Sequence, residues 1–203
     1  MKIVEIHDVF LEGSFPRSKE WQTACKHVEE AVYATDWPHG SGKFTIYPES
    51  GKKRGEGNGV VPIKKPCLEH LRQRGWITEK LPPIQSDVMR PGDLDALYEC
   101  ANDFIGFEWE TGNISSSHRA INKLLLTMQV GGLVGGFLVV PSDKLKVYLT
   151  DRIGNMGELR PYLPLWSSLP IEEGVLRIVV VEHDATSFDV PKIPKGTDGR
   201  ALQ

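Results

Sequence analysis

The chain has 203 residues, with 24 Lys plus Arg, 27 Asp plus Glu and a formal net charge of −3. Hydrophobic residues make up 40% of the chain and charged residues 25%, which excludes a disordered chain, a coiled coil and a collagen-like fibre. No apolar run reaches the roughly 18 residues of a membrane span, and the N-terminus has acids where a signal peptide needs an apolar stretch. We therefore expect a soluble cytoplasmic protein.

The first half of the chain alternates apolar segments with breaks rich in glycine and proline. Apolar residues recur at helical spacing between Trp21 and Val32, which predicts an amphipathic helix. Pro66 is typical of a first helical turn, whereas the prolines of residues 77–93 indicate an irregular loop. The elements predicted here are a short strand or irregular lead-in at 3–10, helices at 16–35 and about 66–74, a strand at 44–47, and loops at 37–42, 50–59 and 77–93.

The second half of the chain has stronger strand signals. Residues 133–141 and 175–181 are almost continuously apolar, as strands covered on both faces are. The elements predicted here are a short apolar stretch at 94–98, strands at 104–110, 133–141 and 175–181, helices at about 113–129, 142–150 and 158–165, and an irregular tail at 189–203. This order predicts one α/β domain over residues 1–203, with a mixed sheet between layers of helices.

The acidity of the chain is concentrated in one segment. Residues 81–118 hold one base and seven acids, whereas residues 16–80 hold twelve bases and eight acids. A net negative charge argues at first against nucleic-acid binding, because such proteins usually carry basic patches. The net charge of the whole chain therefore combines a basic segment with an acidic one, and the acidic segment needs its own explanation.

Glu108 and Glu110 are the most informative acids of that segment. They lie two residues apart on a predicted strand, so both side chains face one side of it, while Phe107 and Trp109 face the other. Two such carboxylates repel each other unless a cation lies beside them. With Asp95 earlier in the chain, they form the arrangement of many metal-dependent nucleases, in which divalent cations bridge carboxylates and phosphate. The pair alone leaves two alternatives open, a solvent-facing strand and a glycosidase carboxylate pair.

The segment after this strand favours a phosphate partner. Residues 111–119 place small hydrogen-bonding side chains at the start of a predicted helix. The free N–H groups and the dipole of a helix N-terminus suit phosphate. Side chains of the Asn and Arg types can also bind base edges in a major groove, Arg to guanine and Asn to adenine.

Four blocks of the chain together form a specific pattern. They cover Asn58–Lys64, Phe107–Arg119 with Asn122–Leu125, Tyr148–Arg152 and Ile193–Gly199. In this order the blocks closely resemble the BamHI family of type II restriction endonucleases. The resemblance covers the chain from about residue 36 to its end, whereas the first 35 residues match loosely.

The resemblance implies a fold, a reaction and partners. The fold would be the restriction-endonuclease-like α/β/α sandwich with a central mixed β-sheet. The reaction would be Mg²⁺-dependent hydrolysis of double-stranded DNA at the palindrome GGATCC, with the cut after the first G and four-base 5′ overhangs. The enzyme would act as a homodimer, because a palindrome demands two-fold symmetry, and a cognate DNA methyltransferase is expected in the same cell.

The resemblance also assigns catalytic residues. Asp95 and Glu108 match the family's metal ligands. Glu110 stands where most related nucleases have lysine and matches the family's candidate general base. Glu79 matches, through a short motif in a predicted loop, the fourth acidic residue of the active site and a further metal ligand.

The resemblance assigns the DNA contacts to three groups of residues. Lys64 would work beside the residues that contact the major groove. The irregular tail at 189–203 would reach the minor groove. The family's major-groove residues match Asn113, Ser115, Ser116, Arg119, Asp151 and Arg152, and its minor-groove residues match Asp198 and Gly199.

The chain departs from the family at the segments that form the family's dimer interface. Ion pairs of the family cannot form here, because the matching positions are Gln129, Val130, Pro164 and Ser167. We therefore expect a more hydrophobic dimer interface, formed by Val130, Leu165 and Trp166. Two alternatives to GGATCC cutting remain: a relative with a different or degenerate GATC-centred specificity, and a DNA-binding relative without catalysis.

Overall fold

A mixed β-sheet forms the centre of the fold. A computed structural model describes residues 1–53, 56–60, 62–83, 91–101, 103–150 and 153–195. The strands within these ranges are β1 (Lys2–Glu12), β2 (Thr45–Ile46), β3 (Ile77–Lys80), β4 (Leu94–Cys100), β5 (Asp103–Trp109), β6 (Gly135–Pro141), β7 (Gly174–Glu182) and β8 (Ala185–Thr186). The main sheet has the order β1-β7-β6-β5-β4-β3, and β2 pairs with β8 apart from it. Because β5, β6 and β7 are parallel and the other neighbours antiparallel, the predicted mixed sheet is confirmed.

Helices cover both faces of this sheet. They are α1 (Lys19–Tyr33), α2 (Lys64–Gln73), α3 (Ile114–Gln129), α4 (Asp143–Lys146), α5 (Met156–Leu159) and α6 (Leu163–Ser167), with 3₁₀ turns at Phe15–Arg17 and Arg160–Tyr162. Helix α1 begins where the Ser18 hydroxyl accepts the N–H of Trp21 at 3.0 Å, and α3 begins where the Asn113 side chain accepts that of Ser116 at 3.1 Å. Both contacts satisfy an N–H group that has no partner inside the helix.

Two apolar cores lie on opposite faces of the sheet, because successive strand residues point to opposite sides. On β5, Phe107 and Trp109 belong to the core that contains α1 and α2. On β6, Leu138 and Val140 belong to the core that contains α3, α5 and α6. Every residue of β6 is buried, as its continuous apolar sequence predicts. The α/β class and the layered arrangement are therefore confirmed.

Several predicted element bounds were wrong. The segment 3–10, predicted as a short strand or an irregular lead-in, is a strand, but it is longer than predicted and pairs with β7 with two register shifts. Residues 77–80, predicted as loop, form the edge strand β3, because pairing with β4 outweighs the local proline and polar composition. The helix predicted at 142–150 ends at Lys146, and 158–165 is divided between α5, a 3₁₀ turn and α6.

Within the described part of the chain, no helix has the length and apolar composition needed to cross a membrane.

Candidate active site

Asp95 and Glu108 lie side by side on neighbouring antiparallel strands. The register pairs Ala96 with Phe107, which places the preceding residue of β4 next to the following residue of β5. The Asp95 carboxylate also accepts the backbone N–H of Trp109 at 2.9 Å through Oδ2. This hydrogen bond fixes the side chain of one strand to the backbone of the other, so the two carboxylates are held in a defined relation.

Glu108 is a buried carboxylate with a lysine partner. Only 3% of the residue is exposed, and its Oε1 forms an ion pair with the ammonium group of Lys123 on α3. Lys123 is held from a second side, because its Nζ donates to the carbonyl oxygen of Asp93 at 2.6 Å. Burial raises the pKa of Glu108 to about 7, although the Lys123 charge opposes this shift and the nearby Asp95 and Glu110 carboxylates add to it.

Lys64 is a second cation at the carboxylates. It is the first residue of α2, and its Nζ lies 2.6 Å from Oδ1 of Asp95. The sequence resemblance placed Lys64 beside the residues that contact DNA. The structure places its ammonium group at the proposed catalytic carboxylates, so this side chain joins the recognition block 58–64 to the active site.

Glu110 follows the last residue of β5 and lies close enough to the neighbouring charged side chains to be affected by them. Its N–H donates to the carbonyl oxygen of Val139 at 2.9 Å, so its backbone continues the pairing with β6. Burial raises the pKa of its carboxyl group, and the neighbouring Asp95 charge raises it further. Lys64, the N–H of Gly112 and Arg119 oppose the shift. A carboxylate whose pKa is raised in this way is a better proton acceptor than an ordinary glutamate.

Glu79 lies across the strand pair from Asp95. Its neighbours Thr78 and Lys80 pair with Ala96 and Leu94, the residues on either side of Asp95. Its backbone has a positive φ of 52° and its side chain is exposed. The structure thus brings Glu79 to the same part of the sheet, and its role as a metal ligand stays a prediction.

The carboxylates fit a divalent cation by the chemistry of their donors. Within the described residues, no three Asp, Glu, His or Cys side chains are grouped closely enough to hold a metal ion by themselves. Magnesium does not require such a group, since it usually binds through one or two carboxylates and completes its shell with water and substrate phosphate. Asp95 and Glu108 provide such a pair, and in this structure the ammonium groups of Lys64 and Lys123 lie at their oxygens.

The N-terminus of α3 lies directly after these carboxylates. Asn113 and Ser115 are exposed there, and Ser116 is half-buried. Arg119, one turn further along α3, is exposed and acts electrostatically on Glu110. The structure therefore brings four of the sequence-predicted DNA contacts together beside the predicted catalytic residues. His118, to which the sequence assigned no role, packs its ring against Tyr162 with the ring centres 4.5 Å apart.

The remaining predicted DNA contacts lie outside the described residues. They are Asp151, Arg152, Asp198 and Gly199. The described residues on both sides of 151–152 are well anchored: Thr150 donates its N–H to Asn58 at 3.0 Å, and Ile153 forms a bridge with Asn113. Thr150 thus lies beside Asn58, and Ile153 lies beside the start of α3.

Sequence reasoning missed the role of Lys123. Its signal was local: it lies one turn after Arg119 on a helix that directly follows two acids on one strand. A base in that position on a helix covering the acidic face of the strand is within reach of a carboxylate. Reaching Glu108, however, depends on how α3 crosses β5, which the spacing of residues does not give.

Comparison with known proteins agrees with this geometry. The family model described as "Restriction endonuclease BamHI" matches residues 1–200. The chain belongs to the BamHI family of type II restriction endonucleases. The match extends through the first 35 residues, where the sequence blocks gave only a loose resemblance.

Two curated relatives of this BamHI-family chain are type II restriction enzymes. OkrAI from Oceanobacter kriegii is 42% identical over 203 residues, which cover 100% of both chains. BamHI from Bacillus amyloliquefaciens is 35% identical over 189 residues, which cover 90% of this chain and 84% of that enzyme. Family membership therefore rests on full-length similarity as well as on short motifs.

A solved structure supports the fold of this family member. The restriction endonuclease BglII, crystallised with a DNA 16-mer, superimposes with a TM-score of 0.60 and covers 91% of this chain and 79% of its own. At 11% identity this likeness shows the fold alone. The expected restriction-endonuclease-like α/β/α sandwich is confirmed.

The proposed hydrophobic dimer interface of this family member needs one correction. Trp166 is 4% exposed, belongs to the core around α3 and donates its Nε1–H to Asn122 at 3.1 Å. Its ring is therefore buried in the interior of its own chain and is not available to pack against a second protomer. Leu165, at 62% exposure, remains available on the same short helix.

Proposed function

We propose that this enzyme is a homodimer that hydrolyses double-stranded DNA at GGATCC, after the first G, and requires Mg²⁺. A DNA methyltransferase of the same specificity would be present in the same cell. The observation that carries the proposal is the juxtaposition of Asp95, Glu108 and Glu110 with the exposed N-terminus of α3. Carboxylates for a cation and N–H groups for a phosphate meet there, on a chain of the BamHI family.

Asp95 and Glu108 would hold the magnesium ion. Bound there, Mg²⁺ supplies Lewis-acid stabilisation of the developing phosphate charge and favours formation of the attacking hydroxide. The hydrogen bond from Trp109 N–H orients Asp95, leaving Oδ1 for either Lys64 or the cation. Lys64 and Lys123 balance the carboxylate charge in the metal-free protein, since each pairs with one of the two acids.

Glu110 is the proposed general base. As the water oxygen bonds to phosphorus, one water proton passes to Glu110, and the bond to the leaving oxygen breaks. The raised pKa of Glu110 makes its carboxylate a better proton acceptor than an ordinary glutamate. Arg119 lies close enough to act on Glu110 electrostatically, and its charge limits the rise of the Glu110 pKa. The same guanidinium can bind the DNA.

The proposed recognition uses complementary donors and acceptors. Arg119 and Arg152 each bind a guanine edge, Asp151 accepts from a cytosine amine and Asn113 contacts an adenine. Ser115 and Ser116 lie with them at the start of α3, and Asp198 and Gly199 would contact the minor groove. A two-fold symmetric dimer places one such set on each half of the palindrome.

Digestion of a mapped plasmid, with and without Mg²⁺, tests the proposal. Cleavage at every GGATCC site and nowhere else, only with Mg²⁺ and with four-base 5′ overhangs, is the expected result. A different fragment pattern would replace GGATCC with another or a degenerate GATC-centred site. Site-specific binding without cleavage in any divalent metal would indicate a DNA-binding relative that has lost catalysis.

A further inference from the structure

Asn58 is a buried polar residue at which three separate segments of the chain converge. The residue is 0% exposed. Its side-chain Nδ2 donates to the carbonyl oxygens of Tyr47 at 2.8 Å and Tyr148 at 2.9 Å. Its Oδ1 accepts the N–H of Ile193 at 3.1 Å. One amide group therefore uses both of its donors and its acceptor on backbone groups that are distant in sequence.

The backbone of Asn58 strengthens the same connections. Its N–H donates to Tyr148 at 2.8 Å and its carbonyl oxygen accepts from Thr150 at 3.0 Å, so residues 58 and 149 form a short parallel bridge. The next residue, Gly59, donates its N–H to the carbonyl oxygen of Ile193 at 2.8 Å. The segments 148–150 and 193–195 are thus held from one point on the loop between β2 and α2.

The backbone of Pro194 approaches Gly59, the residue after Asn58, very closely. A Cβ atom on Gly59 would lie 1.9 Å from the carbonyl oxygen of Pro194. Further along the same segment, Nζ of Lys195 donates to the carbonyl oxygen of Glu56 at 3.0 Å. The residues that lead into the C-terminal tail are therefore packed directly against the loop that Asn58 closes.

We propose that Asn58 is a positioning residue for DNA recognition, which fixes the segments 148–150 and 193–195 relative to each other. This role rests on the proposed function, in which Asp151 and Arg152 follow Thr150, and Asp198 and Gly199 follow Lys195. Asn58 acts through the backbone of those segments, since its side chain is fully used within the protein.

The NH₂ group and the carbonyl oxygen of the Asn58 side chain bind different segments, so we expect different results from two substitutions. Asn58→Ala removes all three side-chain hydrogen bonds and leaves the N–H of Ile193 without that partner. Asn58→Asp keeps an acceptor for Ile193 but loses both donors, and it places a carboxylate oxygen against the carbonyl oxygens of Tyr47 and Tyr148. Alanine should disturb both segments, whereas aspartate should disturb mainly the segment 148–150.

Base analogues in the DNA separate the two grooves. Replacing guanine with 7-deazaguanine removes a major-groove acceptor, and it is placed at the position whose penalty Arg152→Ala abolishes, not at the guanine assigned to Arg119. Replacing guanine with inosine removes the minor-groove amino group. The experiment measures the dissociation constants of duplexes with the GGATCC site, with each analogue and with an unrelated sequence, with Ca²⁺ in place of Mg²⁺. Asp8→Ala is the control, because it breaks the half-buried Asp8–Arg177 ion pair between β1 and β7, which involves none of the proposed DNA contacts.

The proposal predicts a specific pattern of losses. For the unsubstituted protein, each analogue should weaken binding by about tenfold or more. Asn58→Ala should weaken binding to GGATCC by about 10- to 100-fold, leave non-specific binding within about twofold, and reduce both analogue penalties. Asn58→Asp should reduce the 7-deazaguanine penalty and retain the inosine penalty. Asp8→Ala should lower the unfolding temperature with both penalties intact.

Three outcomes would contradict the proposal in distinguishable ways. If Asn58→Ala lowers only the unfolding temperature, as Asp8→Ala does, Asn58 is structural and the positioning role is wrong. If Asn58→Asp reduces both penalties or neither, the division of the amide between the two segments is wrong. If the unsubstituted protein shows no analogue penalty, the proposed recognition fails, and the positioning role fails with it. If the alanine variant does not fold, Asn58→Ser, which keeps a polar side chain and buries no charge, replaces it in the test.

Discussion

The two regions that meet the DNA in the proposed complex are built in different ways. The carboxylates Asp95 and Glu108 lie on paired strands in the middle of the sheet, and ion pairs with two lysines hold them. The segments around Asn58 are loops outside the main sheet, joined by a buried amide and neutral backbone hydrogen bonds. The difference suggests that the chemistry needs fixed charges on a rigid support, whereas the part of the recognition surface next to Asn58 uses loops whose mutual position is set by few contacts.

The largest expected effect comes from substitutions in the catalytic region. Asp95→Ala or Glu108→Ala should lower the cleavage rate at least ~10³-fold while specific binding persists, because metal stabilisation of the transition state is worth several kcal/mol. Plasmid digestion and gel shift on the same variants measure the two properties separately. Glu99→Ala, which changes an exposed acid on the same strand as Asp95, is the matched control and should cleave normally. Unimpaired cleavage by either active-site variant would remove that residue from the mechanism.

The buried charge at Glu108 predicts a pH dependence of the stability of the metal-free protein. Its pKa of about 7 lies above the ordinary value of 4.5, so between these pH values the folded protein binds more protons than the unfolded chain. Stability should therefore fall as pH rises through this window, by up to roughly 3 kcal/mol, and change little from this source above it. Chemical denaturation of Glu108→Gln should lack this component.

Glu173 provides a control of opposite sign for that pH dependence. The backbone N–H groups of Phe15 and Ser14 lower the pKa of its carboxyl group. Its contribution is therefore present above its ordinary pKa and is lost as pH falls. Glu173→Gln should leave the loss of stability between pH 5 and pH 7 in place. If Glu108→Gln and the unsubstituted protein show the same pH profile, Glu108 is not the titrating group.

An intermediate effect is expected from a substitution of a proposed recognition residue. Arg119→Ala should lose discrimination at one base pair, worth about 1–3 kcal/mol, because a bidentate contact to guanine is removed. Competition binding against duplexes with each base pair of the half-site substituted in turn measures it. Arg17→Ala, on the 3₁₀ turn before α1, is a control that should leave every discrimination ratio unchanged. Equal weakening of all sequences by Arg119→Ala would assign the residue to phosphate.

The smallest expected effect separates stability from recognition at a single residue. Asn113 caps α3 with its side-chain oxygen, so Asn113→Ala should lower the free energy of unfolding by about 1 kcal/mol. Asn113→Asp keeps a capping oxygen and should leave stability nearly unchanged, but it removes the amide donor proposed for adenine. Thermal unfolding and binding assays on both variants check this. An aspartate variant that still prefers GGATCC would exclude the amide as a base contact.

The features predicted correctly from the sequence are those set by local spacing. The opposite faces of Glu108 and Trp109 follow from strand alternation, and the cap of α3 at Asn113 follows from residue type. The edge strand β3 was missed because its four residues are mostly exposed and carry no alternating pattern, so only its pairing with β4 defines it.

The contacts that complete the two regions were beyond sequence reasoning for a common physical cause. Lys64 reaches Asp95 across 31 residues, and Asn58 reaches Ile193 across 135. No periodicity relates residues so far apart, and their meeting depends on how helices and loops pack on the sheet. A buried asparagine also has no distinctive local signal, since the same residue type is common in exposed turns.

The pairing of lysines with the carboxylates has a consequence for the sign of the field at the site. With all groups ionised, the carboxylates of Asp95, Glu108 and Glu110 and the ammonium groups of Lys64 and Lys123 leave one net negative charge. These five charges alone repel a phosphate, and Arg119, which acts on Glu110, offsets part of that repulsion. Addition of one divalent ion reverses the balance to one net positive charge, provided that both lysines stay nearby. Cation binding would then strengthen the attraction between these side chains and the scissile phosphate.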